Sequence, residues 1–520
     1  MEKSDITHVE IANDASLSGH PGDGQVKLMR DGEVVLIPTP TSDPRDPLTR
    51  SVWSKWVFLV IVSAWSCTAV VLASGMGSIF TSILASYPGQ EARANDLMTY
   101  PTLFMGIGNL IAMPFAFTCG RRPVFLVSMV LLVVAGIWCQ CSTSLGSHIA
   151  GRNIMSLAAG QSEALSPMVI QEIFFLHERG RKVGWFIFIQ NIAAGVFFVV
   201  STYMVSSWGW RWWYGFFNIM NAVIGIFAFL FLFESKFDRT EEAMRGEPVL
   251  NSKIAEHQAV VEEVEEPTPR SWKNDLKPFS TKPTLREIPT FYKQLLQGFC
   301  IPTILWLLLL NGAHLGVYIF QAATFAGILT APPFGFSFES LGYVQAGQLV
   351  DCLVFLPLLA YGSDLVIKHL TARNDGLYKP EYRLPVIIIP VIVGVICSVF
   401  YGQAAAHPER YSPAAIIIGY NASYFAFLGA NIVGITYAVD SFPLRAAPFL
   451  VVICAGRGFI SFGLSYATLP AIKTVGYDWT MVIEVIICGV LALMAIPVYV
   501  FGPRLRVWAG AWSGGSEATK

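Results

Sequence analysis

Charged side chains set inside long apolar runs are the residues here whose chemistry stands out. Glu163 lies among Ala158, Ala159, Gly160 and Ser162, small neighbours that leave room for close packing or for a ligand. An ionisable group in such a setting is costly unless it faces a wet cavity or a partner, so it is a functional candidate by default. Arg152 precedes Glu163 by eleven residues. At about 3.6 residues per turn this spacing puts both on nearly one helix face, where they could line one cavity at different depths. Two readings of Glu163 stay open. It binds the cationic end of a solute or exchanges a proton, since a buried carboxyl lets protonation compete with a cation, or it is locked to a structural partner. Asp351 is a second buried acid and a candidate in the second half of the chain. Asn311 and His314 are three residues apart and share a face, as do many side chains at this spacing. Asn421 and Asn431 follow later, and buried amides of this kind more often join helices than bind solute. Arg457 needs a partner, and Glu484 is one possibility.

The elements that must carry these groups are long apolar helices. The chain has 520 residues, 54% hydrophobic and 14% charged, with a mean hydropathy of +0.53. That is well below the charge of an ordinary soluble domain. A hydrocarbon core of roughly 30 Å demands about twenty apolar residues per helix, and about twelve such stretches occur. The first group runs near Trp56–Phe80, Met98–Cys119, Pro123–Ser142, Ile149–Phe175, Gly184–Val205 and Trp212–Phe233. The second runs near Phe299–Ile328, Leu341–Tyr361, Pro385–Ala404, Pro413–Val439, Ala447–Ala471 and Trp479–Gly502. The expected layout is a polar tail (1–55), a six-helix half (56–233), a linker (234–298), a second six-helix half (299–502) and a short tail (503–520). The linker holds Glu262, Glu263, Glu265 and Glu266, then Pro267 and Pro269, the mark of a solvated segment. Prolines inside the runs (Pro114, Pro167, Pro302, Pro357 and Pro390) make bent helices plausible.

Basic residues are retained on the cytoplasmic side of short loops. One set of loops carries Arg121, Arg122, Arg179, Arg181, Lys182, Lys368, Arg373, Lys379, Arg383 and Arg445, while the opposing set carries Arg93, Arg211, Arg410 and Lys473. Both termini and the linker are therefore expected in the cytoplasm. The net charge of −1 gives no overall field that would attract nucleic acid. The nine cysteines show no paired metal-ligand spacing, so no metal and no cofactor is expected. No Gly-x-x-x-x-Gly-Lys-Ser/Thr run occurs, which leaves an ion gradient, most simply protons, or the solute's own gradient as the energy source.

After the second run the chain reads Gly120-Arg121-Arg122-Pro123, a tight basic turn. It resembles the loop between the second and third helices of the major facilitator superfamily, with Phe117 standing where that pattern carries Asp. The segments SEALSPMVIQEIFFLHERGRKVG, GWRWWYGFFN, ESKFDR, TARNDGLYKPEYRLP and YAVDSFPLRAAPFLVV resemble the twelve-span fungal drug:proton antiporter branch, near its polyamine and organic-cation subgroup. In the fifth run NIAAGVFFVVSTYM keeps Gly195 but lacks the proline of the antiporter pattern.

The resemblance implies an all-α membrane protein of the major facilitator fold, not an enzyme, which carries a small molecule across a lipid bilayer as a monomer. It implies a site near mid-membrane drawn from Glu163, Asp351, Arg152, Asn311, His314 and Asn421. It also implies a gate built from Gly120, Arg121, Arg122, Asp364 and Asp440. Proton-coupled export of a drug-like compound or secondary metabolite at the plasma membrane is the leading expectation. Uptake of a polyamine or other organic cation, and a non-transporting nutrient sensor, are the alternatives.

Overall fold

Apolar sequence in a bilayer can satisfy its backbone only within itself, and the chain does so as helices. The computed structural model describes residues 29–30, 33–34, 38–41, 43, 45–237, 285–374, 379–442 and 445–514. The linker acids Glu262 to Glu266 and the adjoining prolines lie outside them. Eleven helices are long and apolar enough to span a membrane. In the first half these are α1 (Val52–Leu84), α2 (Asp96–Thr118), α3 (Arg121–Cys141), α5 (Arg181–Trp208) and α6 (Trp210–Phe231). The second half has α7 (Pro302–Thr330), α8 (Ser340–Ala372), α9 (Pro380–Ala406), α10 (Pro413–Ser441), α11 (Ala446–Thr468) and α12 (Pro470–Ala509). The remaining one, α4, is two shorter helices, Leu145–Ala159 and Gln161–Ile173, that meet at Gly160. Serine side chains cap three helix starts by accepting backbone N–H bonds: Ser51 at α1, Ser144 at α4 and Ser412 at α10. Strand pairing among the described residues is confined to Met29–Arg30 with Glu33–Val34.

Two boundaries differ from expectation. The end of the segment expected as linker is an amphipathic surface helix, Ile288–Cys300, separated from α7 by an extended residue, Ile301. It lies against α2 and α11, with Phe291 beside Phe117 at 5.0 Å and the Tyr292 hydroxyl donating to the Leu110 carbonyl at 3.0 Å. The last helix also continues past Gly502 to Gly514, because 503–509 still offer apolar residues at helical spacing.

The first half is knit by α1 against α5 and α6 and by α3 against α4 and α6. In the second half α7 packs on α10 and α11, and α9 on α10. The halves meet most extensively along α1–α7, α2–α11, α4–α11 and α5–α8. At α2–α11 the backbones nearly touch. A Cβ on Gly106 would stand 2.7 Å from the Ala455 carbonyl oxygen, and one on Gly458 would stand 2.5 Å from that of Thr102. Small residues allow this approach, and dispersion and weak polar contacts then hold helices that the lipid gives no hydrophobic reason to associate. Away from the linker, Ser206 Oγ donates to Glu339 Oε1 at 2.7 Å, and the Tyr203 and Tyr343 hydroxyls bond to each other, closing α5 onto α8.

Candidate functional site

Glu163 sits in the first turn after the break in α4, on the seam between halves. Its carboxylate forms an ion pair at 2.5 Å with Arg457 of α11. The same guanidinium donates to Asn431 Oδ1 of α10 at 2.5 Å and lies 5.6 Å from the Phe427 ring centroid. One cation thus ties α4 of the first half to α10 and α11 of the second. Arg457 is 4% exposed by side chain and Glu163 is 21% exposed, so the acid is the more accessible partner. The expectation that Arg457 reaches Glu484 does not hold: Glu484 instead accepts from Thr468 Oγ1 at 3.0 Å.

From Phe427 an aromatic stack runs into the second half. Tyr318 lies parallel to Phe427 and to Tyr420, and Tyr420 stacks on Phe325 with centroids 4.7 Å apart. Gln348 Nε2 donates to the Tyr318 and Tyr420 hydroxyls at 3.1 and 3.0 Å, and Gln345 Nε2 reaches Tyr420 at 3.3 Å. Gln345, Gln348 and Asp351 follow one another at three-residue intervals on α8. Asp351 opens a π-helical turn, Asp351–Phe355, of the sort that recurs at functional sites. Asp351 is 5% exposed, and its Oδ2, like the Oε1 atoms of both glutamines, has no hydrogen-bond partner among the described residues. Tyr424 donates to Asn191 Oδ1 of α5 at 2.6 Å and so fastens this wall to the first half.

The other expected site residues are placed differently. Arg152 does not share a cavity with Glu163. Its guanidinium is 1% exposed and donates to the carbonyls of Leu97, Leu72 and Ala73 at 2.6, 2.9 and 2.7 Å, and to the Tyr214 hydroxyl at 3.3 Å. It bolts the end of the first stretch of α1 to the start of α2: the Leu72 and Ala73 carbonyls lie in the last turn of that stretch, and Leu97 has Pro101, which carries no N–H, four residues on. Asn421 donates to Val344 and Ile417 carbonyls and braces α10 on α8. Asn311 donates to the Leu307 carbonyl and packs under Gly434. His314 lines a separate cavity behind α7.

The basic turn is anchored inside its own half. Gly120 has φ +113, a region closed to side chains, and even the space is taken, since a Cβ would stand 2.5 Å from Glu234 Oε2. The backbone N–H groups of Arg121 and Arg122 donate to Glu234 at 2.9 and 3.2 Å, and the Arg121 side chain pairs with Glu172 at 2.7 Å. Burial pushes the Glu234 carboxyl up from its usual value, and the backbone N–H groups and the Arg121 charge pull it partly back. Phe117, in place of an acid, offers its ring face to Arg121 at 4.7 Å. The second half repeats the device, with Arg383 of α9 paired to Asp440 at the end of α10 at 2.7 Å. Asp364 is exposed on α8 and joins neither cluster, so the five residues expected as one gate form two separate locks plus an isolated acid. Sequence reading missed Arg457 as the partner of Glu163, and it missed Asn191 and the tyrosine wall. The i,i+4 pair Tyr420/Tyr424 and the Gln345/Gln348/Asp351 ladder were the available signals.

With this geometry in hand, three comparisons are informative. An uncharacterized MFS-type transporter of Schizosaccharomyces pombe is 24% identical, over 92% of this chain and 89% of the relative. The efflux pump vrtL of Penicillium aethiopicum is 22% identical, over 91% and 90%. The solved structure of the proton:xylose symporter XylE bound to 6-bromo-6-deoxy-D-glucose superposes with a TM-score of 0.59 at 14% identity, covering 87% of this chain and 96% of that one. Residues 56–447 match the Major Facilitator Superfamily. Two helical halves meeting on a buried charge pair, together with that match, make the chain a member of the Major Facilitator Superfamily, a multi-pass membrane transporter and not an enzyme.

Proposed function

We propose that the chain is a proton-coupled exporter of a small organic compound, drug-like or a secondary metabolite, working as a single chain in the plasma membrane with both termini in the cytoplasm. The Glu163–Arg457 pair carries this reading. It is a charge pair at the seam whose acid is the more accessible partner. Protonating Glu163 cancels one charge and frees α11 from α4. Losing that proton restores the attraction and draws the halves back together. Such a pair biases two arrangements of the halves, which is what alternating access at a mid-membrane site requires. The closed α5–α8 contacts at the face away from the linker fit a state open toward the linker side. Export is supported by the relative described as an efflux pump, and proton coupling by the solved symporter of the same fold. The basic residues of the linker-side loops support the orientation.

The test is transport in proteoliposomes under an imposed pH gradient, comparing wild type with Glu163→Gln across polyamines, lipophilic cations and neutral metabolites. Gradient-driven movement that the substitution abolishes is the expected result. Equal transport by both proteins at every pH would retire the proton role of Glu163. A second reading, uptake of an organic cation, draws on Asp351 with its unpartnered oxygen beside the tyrosine wall. Solute levels in cells lacking the protein separate the two: loss of an exporter raises them and loss of an importer lowers them.

A further inference from the structure

Two titratable groups lie away from the seam pair and play no part in the transport reading above. Glu484 of α12 is 6% exposed. Its Oε1 accepts from Thr468 and its Oε2 has no partner. His314 of α7 is 4% exposed. Its Nδ1 faces the Leu310 carbonyl at 2.9 Å, which must accept, so the ring proton sits there and Nε2 presents a lone pair, also without a partner.

Two cavities flank these groups. A cleft of about 30 Å³ at the seam is lined by Asn95, Thr99, Thr324, Ser465 and Thr468. A cavity of about 10 Å³ inside the second half is lined by His314, Ser398, Ser423, Val485 and Cys488. Thr468 is thus on the wall of the cleft and bonded to Glu484. Val485 and Cys488, the neighbour of Glu484 and the residue one helical turn on, are on the wall of the inner cavity. Ser465 Oγ in the cleft is likewise buried without a partner. The cleft has room for a water beside these buried unpartnered atoms, whereas the inner cavity is at the lower limit for one.

The geometry points to Glu484 as a reversible proton-binding site, loaded from the seam cleft through Thr468, whose hydroxyl bonds its carboxyl. An anion at this depth is costly without a cation beside it. Cys488 lies one helical turn on along α12, and α11 presents the neutral Thr468. Nothing in that set supplies a permanent positive charge. The carboxyl therefore changes charge only by gaining or losing a proton: an O–H bond forms or breaks at the carboxyl, and the proton passes to or from water in the seam cleft by way of the Thr468 hydroxyl. The site is distinct from Glu163, whose charge is met by Arg457. Its role in transport rests on the proton-coupling reading, but proton binding itself does not.

Infrared difference spectroscopy on the full-length protein in liposomes, stepped in pH in light and heavy water, tests this without any substrate. The expected result is a carboxylic-acid carbonyl band, shifted by deuterium, that vanishes with pH and is missing in Glu484→Gln while persisting in Glu163→Gln and Asp351→Asn. Thr468→Val, which removes the bond on the cleft side, should move the midpoint of that titration and leave the band present. A spectrum unchanged by Glu484→Gln in folded protein overturns the inference. If the band behaves as expected and yet a pH gradient drives no transport in wild type, the coupling reading fails and the Glu484 site stands. If transport is proton-driven and the band is indifferent to Glu484, this inference fails alone.

Discussion

Arg457 makes one strong bond across the seam to Glu163 and another within its own half to Asn431, and this shared loyalty sets the cost of losing it. Removing one partner of a buried ion pair strands the other, a penalty of about 3 kcal/mol or more, whereas replacing both with apolar residues of similar size is far cheaper. Thermal unfolding in detergent should therefore show Arg457→Leu as clearly destabilised and the double variant Arg457→Leu/Glu163→Leu as partly rescued. Additive losses would mean that the pair is not coupled. Arg152 belongs to another class of residue. Lysine keeps its charge but offers one ammonium where the guanidinium reaches three carbonyls and the Tyr214 hydroxyl. Arg152→Lys should lower the melting temperature substantially, and its loss of transport should not depend on pH. A pH-dependent defect would return Arg152 to the proton machinery. From the sequence, the eleven-residue spacing of Arg152 and Glu163 reads as a shared face. The break at Gly160 and the free carbonyls at the bend of α1 send the two side chains to different tasks, and neither feature is visible in a helical wheel.

At the scale of elements, the crossing of α2 and α11 governs how closely the halves approach. Gly106→Val puts side-chain atoms where the Ala455 carbonyl already stands, and overpacking of this kind typically costs about 1–3 kcal/mol. The expected outcome is lower thermal stability and slower transport. Gly225→Ala, at a position with open space around it, should change neither. Unchanged behaviour of the valine variant would show that α2 and α11 separate more than the structure implies. Most helices here were legible from runs of about twenty apolar residues, since bilayer thickness leaves the backbone no other solution. The surface helix Ile288–Cys300 was not, because its apolar face is narrow and its sequence reads as part of a charged linker. What makes it a helix is the surface of α2 and α11 on which that face lies.

Across the whole molecule, the proposed alternating access requires the α5–α8 contact to open. A Cβ built on Gly342 lies 3.5 Å from the Cβ of Thr202, inside the usual range for a disulfide. The pair Thr202→Cys/Gly342→Cys, in a background with the exposed Cys141 and Cys300 changed to serine, should crosslink under oxidant and stop transport. Reductant should restore it. Full transport by a demonstrably crosslinked protein would place the moving interface elsewhere. The matching locks, Arg121–Glu172 in one half and Arg383–Asp440 in the other, occupy equivalent places, each tying the start of one helix to the end of the next within its half. Replacing Glu172 by Gln should loosen only the first half, seen as faster hydrogen exchange confined to the ends of α3 and α4.

Hydrocarbon thickness and the cost of burying an ion act on each segment alone, so the bilayer, the long apolar segments and the costly charges within them were legible along the chain. Which charges meet was decided only by tertiary structure. Glu163 and Arg457 are separated by almost three hundred positions, and their pairing depends on where the two halves touch. For the same reason Arg152 became a bolt, Asp440 a partner of Arg383, and Glu484 a lone acid between two cavities. Local pattern sets what a side chain can do, and the packing of distant helices sets what stands opposite it.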